Sequence, residues 1–278
     1  MSMTIRIPDT ITSEHSEKYI VSIRLAPDGF SFSGYNPQEA DSAFFCHRRL
    51  SKPDLYIDSL KEFFFTNECL SWKYKKIYVV HSSSDFQVLP KEMFDEKMKE
   101  QLMQFVFCDS KGHVFSNKLK FENVVLLSTI PEDIYEFCSR SFINPLFLNL
   151  VSVLLTQWQK QASNSLYRQM YISLSKDKMT FAAFAPQGKL LFANNISYRD
   201  NQDLLYYILY IWKQNKFNQL QDCLYIYGET GKCEDLRKSL SAYVRNVSQL
   251  SLPSEVYLRG NDLLEAPLDL IYLTVCEL

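Results

Sequence analysis

Few stretches of this chain have residue types at spacings that suggest chemistry. Gly228-Glu229-Thr230-Gly231-Lys232 carries the letters of a phosphate loop. That motif needs four residues between its first glycine and the Gly-Lys pair, then Ser or Thr. Here two residues intervene and Cys233 follows, so the stretch reads as a turn into a helix. His81 closes a short apolar run and precedes Ser82-Ser83-Ser84-Asp85. Ligands of open α/β sheets bind at the carboxyl ends of strands, which makes these two loops the best-placed candidates for any ligand. The four histidines, His15, His47, His81 and His113, have no helical ligand spacing. Cys46 and His47 are adjacent, and strand alternation sends them to opposite faces. Seven cysteines, an odd number with no C-x-x-C pair, argue against a disulfide framework and a zinc ribbon. No G-x-S-x-G elbow is present for a hydrolase nucleophile. No metal site is expected.

Composition narrows the classes further. The chain has 278 residues, 46% hydrophobic and 22% charged, with a formal net charge of −2. That balance suits a globular protein with a full core and excludes a basic field for nucleic acid. The basic clusters His47-Arg48-Arg49 and Lys73-Tyr74-Lys75-Lys76 read as solvated strand ends. The first 18 residues lack an apolar run of signal-peptide length. The most apolar window, Phe142 to Trp158, falls short of the ~20 residues a membrane span needs, so a buried helix is expected and no membrane span. Free cysteines among apolar neighbours point to a reducing, cytoplasmic location.

The elements that position the loops follow from periodicity. Residues 1–17 read as an arm or edge strand. Tyr19–Leu25, Phe30–Tyr35 and Ser42–Arg48 form an antiparallel meander, turned first by Pro27-Asp28-Gly29. Helical spacing covers Leu55–Leu70, and Lys76–His81 is a strand buried on both faces. A helix is expected over Pro90–Phe105, strands over His113–Lys120 and Asn123–Ser128, and helices over Pro131–Arg140 and from Pro145 to about Ala162. After Ser163-Asn164-Ser165, strands follow at Gln169–Ser175, Met179–Ala185 and Lys189–Asn194. Then come a helix at Asn201–Gln214, a strand at Cys223–Tyr227, a helix at Cys233–Arg245, short strands at Val247–Leu252 and Val256–Arg259, and a closing helix at Pro267–Glu277. The patch Tyr206-Tyr207-Tyr210 with Trp212 is expected to be part core, part exposed.

The second run of elements repeats the first. Lys18–Asn36 reads KYIVSIRLAPDGFSFSGYN, and Arg168–Asn195 reads RQMYISLSKDKMTFAAFAPQGKLLFANN. Ser22 and Ser173 are 151 residues apart, Phe32 and Phe181 149, and Tyr78 and Tyr225 147. That drift predicts a duplication, with a first hairpin loop two residues longer than the second. Residues 1–165 form one half, including a connecting helix, and 166–278 the other.

Three antiparallel strands, then helix, strand, helix, strand, helix, is the ribonuclease H-like order. Two copies in tandem resemble the actin-like ATPases. VVLLSTIPEDIYEF, the run around PLFLNLVSVLL and YISLSKDKMTFAAF look like the mid-chain passage of the pilus-assembly actin-like proteins. The chain is similar to a bacterial family of unknown function on this fold. In active members, the resemblance implies an Asp-x-Gly on the first strand of each half, for a hydrated metal ion and for close approach to phosphate. Ser22-x-Arg24 and Ser173-x-Ser175 stand there instead. A hydroxyl does not anchor magnesium as a carboxylate does, and a Cβ crowds the phosphate path. A nuclease on this fold loses its first carboxylate by the same change.

The expectation is therefore a non-catalytic adaptor or scaffold that binds a protein partner. Its degenerate nucleotide cleft comprises Ser22, Arg24, His81, Ser173, Ser175, Gly228, Glu229, Thr230 and Gly231, and it needs no cofactor. The alternative is a divergent ATP-dependent small-molecule kinase or ATPase, using ATP with magnesium and other acids from Asp28, Asp85, Asp177 or Glu229.

Overall fold

Residues 3–50, 55–119 and 123–275 are described by the computed structural model, as an α/β chain. It divides into two units, Met1–Leu154 with Pro253–Leu278, and Leu155–Leu252.

The first unit opens with the expected meander, β1 (Ile20–Ala26), β2 (Gly29–Tyr35) and β3 (Phe44–Arg49). Helix α1 (Tyr56–Thr66) leads to β4 (Lys76–His81), which pairs parallel with β1. Strand β5 (Phe86–Pro90), helix α2 (Lys99–Val106), β6 (His113–Leu119) and β7 (Val124–Ile130) follow. Helix α3 (Glu132–Ser141) and β8 (Leu146–Asn149) complete the run, and α4 (Leu150–Ala162) follows, its residues from Leu155 onward counted in the second unit. The main sheet has the order β3-β2-β1-β4-β8, and a separate antiparallel sheet has the order β5-β7-β6. Val21, Ile23 and Leu25 of β1 face a core with Phe30, Phe32, Leu60 and Phe63. All seven residues of β2 are buried, so its serines must be covered on the other face.

In the second unit, β9 (Gln169–Leu174), β10 (Lys178–Phe184) and β11 (Leu190–Ser197) form the second meander. Helix α5 (Asn201–Gln214), β12 (Cys223–Tyr227), α6 (Thr230–Leu240) and β13 (Asn246–Gln249) follow. Its sheet has the order β11-β10-β9-β12-β13, the same arrangement as the first. Helices α7 (Ser254–Tyr257) and α8 (Leu268–Leu273) then belong to the first unit.

The ladders set the repeat register and correct one expectation. Ala26 closes the first hairpin against Gly29, and the Ser175 N–H donates to the Lys178 carbonyl at the second. Both loops hold two residues, Pro27-Asp28 and Lys176-Asp177, so neither is longer. The offset is a constant 149 through both strands, as in Phe32 to Phe181 and Asp28 to Asp177. Ser22 therefore corresponds to Tyr171, Arg24 to Ser173 and Ala26 to Ser175. Through the next helix the offset is 148, pairing Leu60 with Ile208, Phe63 with Ile211 and Asn67 with Asn215, and at the parallel strand it is 147, pairing Tyr78 with Tyr225.

Three element assignments also change. Pro90 ends a strand and does not start a helix; the following helix is confined to α2. The apolar run after Pro145 begins as β8, because four of its residues extend the sheet beside β4. The Asn149 side chain stops that strand and starts α4, accepting from the Val151 N–H at 2.8 Å. Its amide nitrogen also donates to Ser128 Oγ on β7 at 2.7 Å, which ties the small sheet to the large one. Val256 lies in α7, not in a strand. The end of the expected closing helix, residues 276–277, lies outside the described residues.

Close backbone approach explains Gly29. A Cβ there would lie 2.2 Å from the Arg48 carbonyl oxygen of β3. Gly29→Ala is expected to lose about 2 kcal/mol, because the two strands must part at the hairpin. Urea unfolding followed by circular dichroism measures it.

Candidate functional site

Strand alternation puts Ser22 and Arg24 on the face of the first sheet away from the core. Ladder partners Ser33, Ser31 and Tyr78 share that face. Ser22, Ser31 and Ser33 are buried, a floor of short side chains. Helix α8 covers it, with all six of its residues buried. Asp269 of α8 accepts from Arg24 Nε at 2.9 Å, with side-chain exposures of 4% and 16% for Asp269 and Arg24. Tyr35, at the other end of the face, reaches the Leu273 carbonyl at 3.5 Å. The guanidinium is thus neutralised inside the unit by a carboxylate 245 residues away. Next to it, Ser31 Oγ and His47 Nδ1 lie 3.0 Å apart. Cys46, one residue earlier, meets the Arg6 carbonyl on the other face, as alternation predicts.

His81 is not part of this group. It pairs with Leu25 in the ladder and shares the core-side face. The connection after it leads to strand β5, not to a helix. Burial pushes the His81 imidazole down to about 4, against a smaller upward pull from its hydrogen bond to the Thr129 backbone. Its Nδ1 has no partner among the described residues. The unfolded histidine titrates near 6.5, so both states are neutral above that pH and stability is complete. Between about pH 6.5 and 4 only the unfolded chain takes up the proton, and stability falls. Urea midpoints are expected to drop over this window in the native chain and to drop less in His81→Gln.

In the second unit, Ser173 lies near the end of β9 and Ser175 just past it, beside the short loop Gly228-Glu229 that follows β12. Ser173 is partly buried; Ser175 and Glu229 are exposed. Gly231 and Lys232 already lie in α6, and a Cβ on Gly231 would meet nothing within 4 Å among the described residues. At Gly228 a Cβ would sit 2.9 Å from that of Leu174, so close packing of strands accounts for this glycine. Lys232 Nζ donates to Tyr198 Oη at 2.7 Å and lies 4.3 Å from its ring centre. Tyr198 in turn donates to the Ser175 carbonyl. Sequence reasoning missed this lysine–tyrosine pair and also Asp269; both join residues distant in sequence. Thr230 starts α6.

The face equivalent to the serine floor is aromatic here. Tyr171, the counterpart of Ser22, stacks between Trp158 at 5.6 Å and Tyr225 at 5.0 Å. Asp28, Asp85 and Asp177 join no metal-ligand group: among the described residues no three His, Cys, Asp or Glu side chains gather as one. The six described cysteines are free thiols. No helix is long and apolar enough to cross a membrane, among the described residues. A groove of about 660 Å³ lies between the end of α5, residues 217–220 and Tyr243; Trp212 lines it, and none of the residues expected in the nucleotide cleft does. Trp212 is core, while Tyr206 and Tyr210 are exposed and stacked, as the helical spacing requires.

The doubled five-strand sheet, each with a meander, two parallel strands and crossover helices, defines an actin-like ATPase fold built from two ribonuclease H-like domains. Solved structures agree. A Bacteroides thetaiotaomicron VPI-5482 protein with actin-like ATPase fold and unknown function is 29% identical, with a TM-score of 0.83 over 96% of this chain and 99% of that one. PilM in the PilM–PilN type IV pilus biogenesis complex matches at 12% identity and a TM-score of 0.52, over 93% of this chain and 99% of that one. No curated protein matches the chain. The chain belongs to the family described as protein of unknown function, DUF3822, whose model matches residues 8–247.

Proposed function

We propose that this protein is a non-catalytic actin-like adaptor or scaffold, acting in the cytoplasm and binding a protein partner. Its duplicated halves are taken as residues 1–165 and 166–278. The observation that carries the reading is the substitution on β1. The position equivalent to Ser173 holds Arg24, a cation, and Asp269 neutralises it under α8. A guanidinium in this place repels magnesium, and its carboxylate partner is already occupied. The counterpart in the second unit offers Ser173, Ser175 and a lysine held by tyrosine, which supply hydroxyls and one positive charge but no anchor for a metal. The neighbour that forms a complex with PilN is another protein of this fold with a protein partner.

Titration of the purified chain with ATP and magnesium, by calorimetry and by phosphate release, tests the reading. Neither heat nor turnover is expected. Hydrolysis that disappears in Glu229→Gln would replace the adaptor with the kinase or ATPase alternative.

A further inference from the structure

The repeat gives the same cradle twice, and the chain fills one of them. In the first unit, residues 3–7 run without ladder bonds over the core-side face of edge strand β3. Met3 and Ile5 are buried there and Ile7 packs against the same core. Side chains of β3 hold the backbone: Arg48 donates to the Thr4 carbonyl at 2.7 Å and Cys46 to the Arg6 carbonyl. Asn67, just past α1, reads the arm from the other side. Its Oδ1 accepts from the Ile5 N–H at 2.7 Å and its Nδ2 donates to the Met3 carbonyl at 2.9 Å.

The second unit repeats the cradle without the arm. By ladder register, Phe44, Cys46 and Arg48 correspond to Phe192, Asn194 and Ile196 of β11. Phe44 is 2% exposed and lies in the core, whereas Phe192 and Ile196 are only partly buried against theirs. Among the described residues, the core cluster on this face of the second sheet has no member before Met170, so none of them stands where Met3 and Ile5 stand in the first. Asn215 occupies the place of Asn67. Each amide nitrogen donates to the carbonyl four residues back, Asn67 to Phe63 at 2.6 Å and Asn215 to Ile211 at 2.9 Å. The carboxamide is therefore held as in the first unit, with its oxygen directed away from its own helix end.

We propose that the strip floored by Phe192, Asn194 and Ile196 and ended by Asn215 is a docking groove for an extended segment of a partner protein with apolar residues at alternate positions. The arm supplies the bound example: Met3, Ile5 and Ile7 show the spacing, and Asn67 shows how a carboxamide takes one N–H and one carbonyl of the guest. The affinity comes from apolar contact on the strand face, and the register from Asn215. The groove shares only the protein partner with the adaptor reading. Nucleotide plays no part in it, so a failed peptide experiment leaves the nucleotide result standing, and the reverse.

A fluorescein-labelled peptide of the arm sequence, residues 3–11, is titrated against the full chain by anisotropy, with light scattering in parallel. Saturable binding is expected below about 1 mM. Asn215→Ala is expected to weaken it about tenfold, by loss of two backbone hydrogen bonds. Ile196→Lys places a charge on the floor and is expected to abolish it, while the thermal midpoint of each variant stays near that of the native chain. No binding at about 1 mM overturns the proposal, as does binding indifferent to both changes, which would mean the peptide had displaced the native arm in the first unit. A concentration-dependent dimer lost in Ile196→Lys also overturns it, by making a second copy the occupant.

Discussion

Asp269→Ala is expected to lower folding stability by about 3 kcal/mol, because it leaves the Arg24 guanidinium unpaired against a serine floor. The carboxylate is 4% exposed and accepts from Arg24 Nε at 2.9 Å. Its removal strands a charge that water reaches only in part. The double change Arg24→Met with Asp269→Leu is expected to regain most of the loss, since two apolar chains of similar volume escape the desolvation of both ions. Chemical unfolding of the two variants separates the cases. Equal losses in the single and double variants would mean that packing of α8, not charge, holds the helix on β1.

Trp158→Ala is expected to cost about 4 kcal/mol. Trp158 is fully buried and forms one end of the ring stack with Tyr171 and Tyr225. Alanine leaves a cavity where the indole was and removes the stacking partner of Tyr171. Trp158→Phe is expected to cost much less, about 1 kcal/mol, for a specific reason. The indole Nε1 is buried without a partner among the described residues, so its loss removes an unmet donor along with some contact area. A phenylalanine variant as damaged as the alanine one would contradict this account.

The doubled α/β order was readable from alternation and turn residues, because Pro27-Asp28-Gly29 and Lys176-Asp177 sit between runs of period two. The register was less readable. Two serines, Ser22 and Ser173, invited alignment by letter, whereas the hairpins align Arg24 with Ser173. Letters in a strand carry no register; the hairpin closure does. Pro90 tolerates both a strand end and a helix start, and the weak alternation in Phe86–Leu89 did not decide between them. The apolar run from Phe142 hid a strand, although Asn149 inside it is a helix-capping type. The partner of Arg24 lies 245 residues on, and no local pattern points to a contact at that distance.

The return of residues 253–275 to the first unit orders events during synthesis. The second unit is continuous in sequence and holds all its strands by Gln249. The first unit begins earlier yet waits for α8 to cover Ser22, Ser31 and Ser33. A growing chain therefore emerges from the ribosome with its leading half incomplete while the trailing half is able to mature. Arg24 has no counter-charge from α8 until Asp269 has been added to the chain.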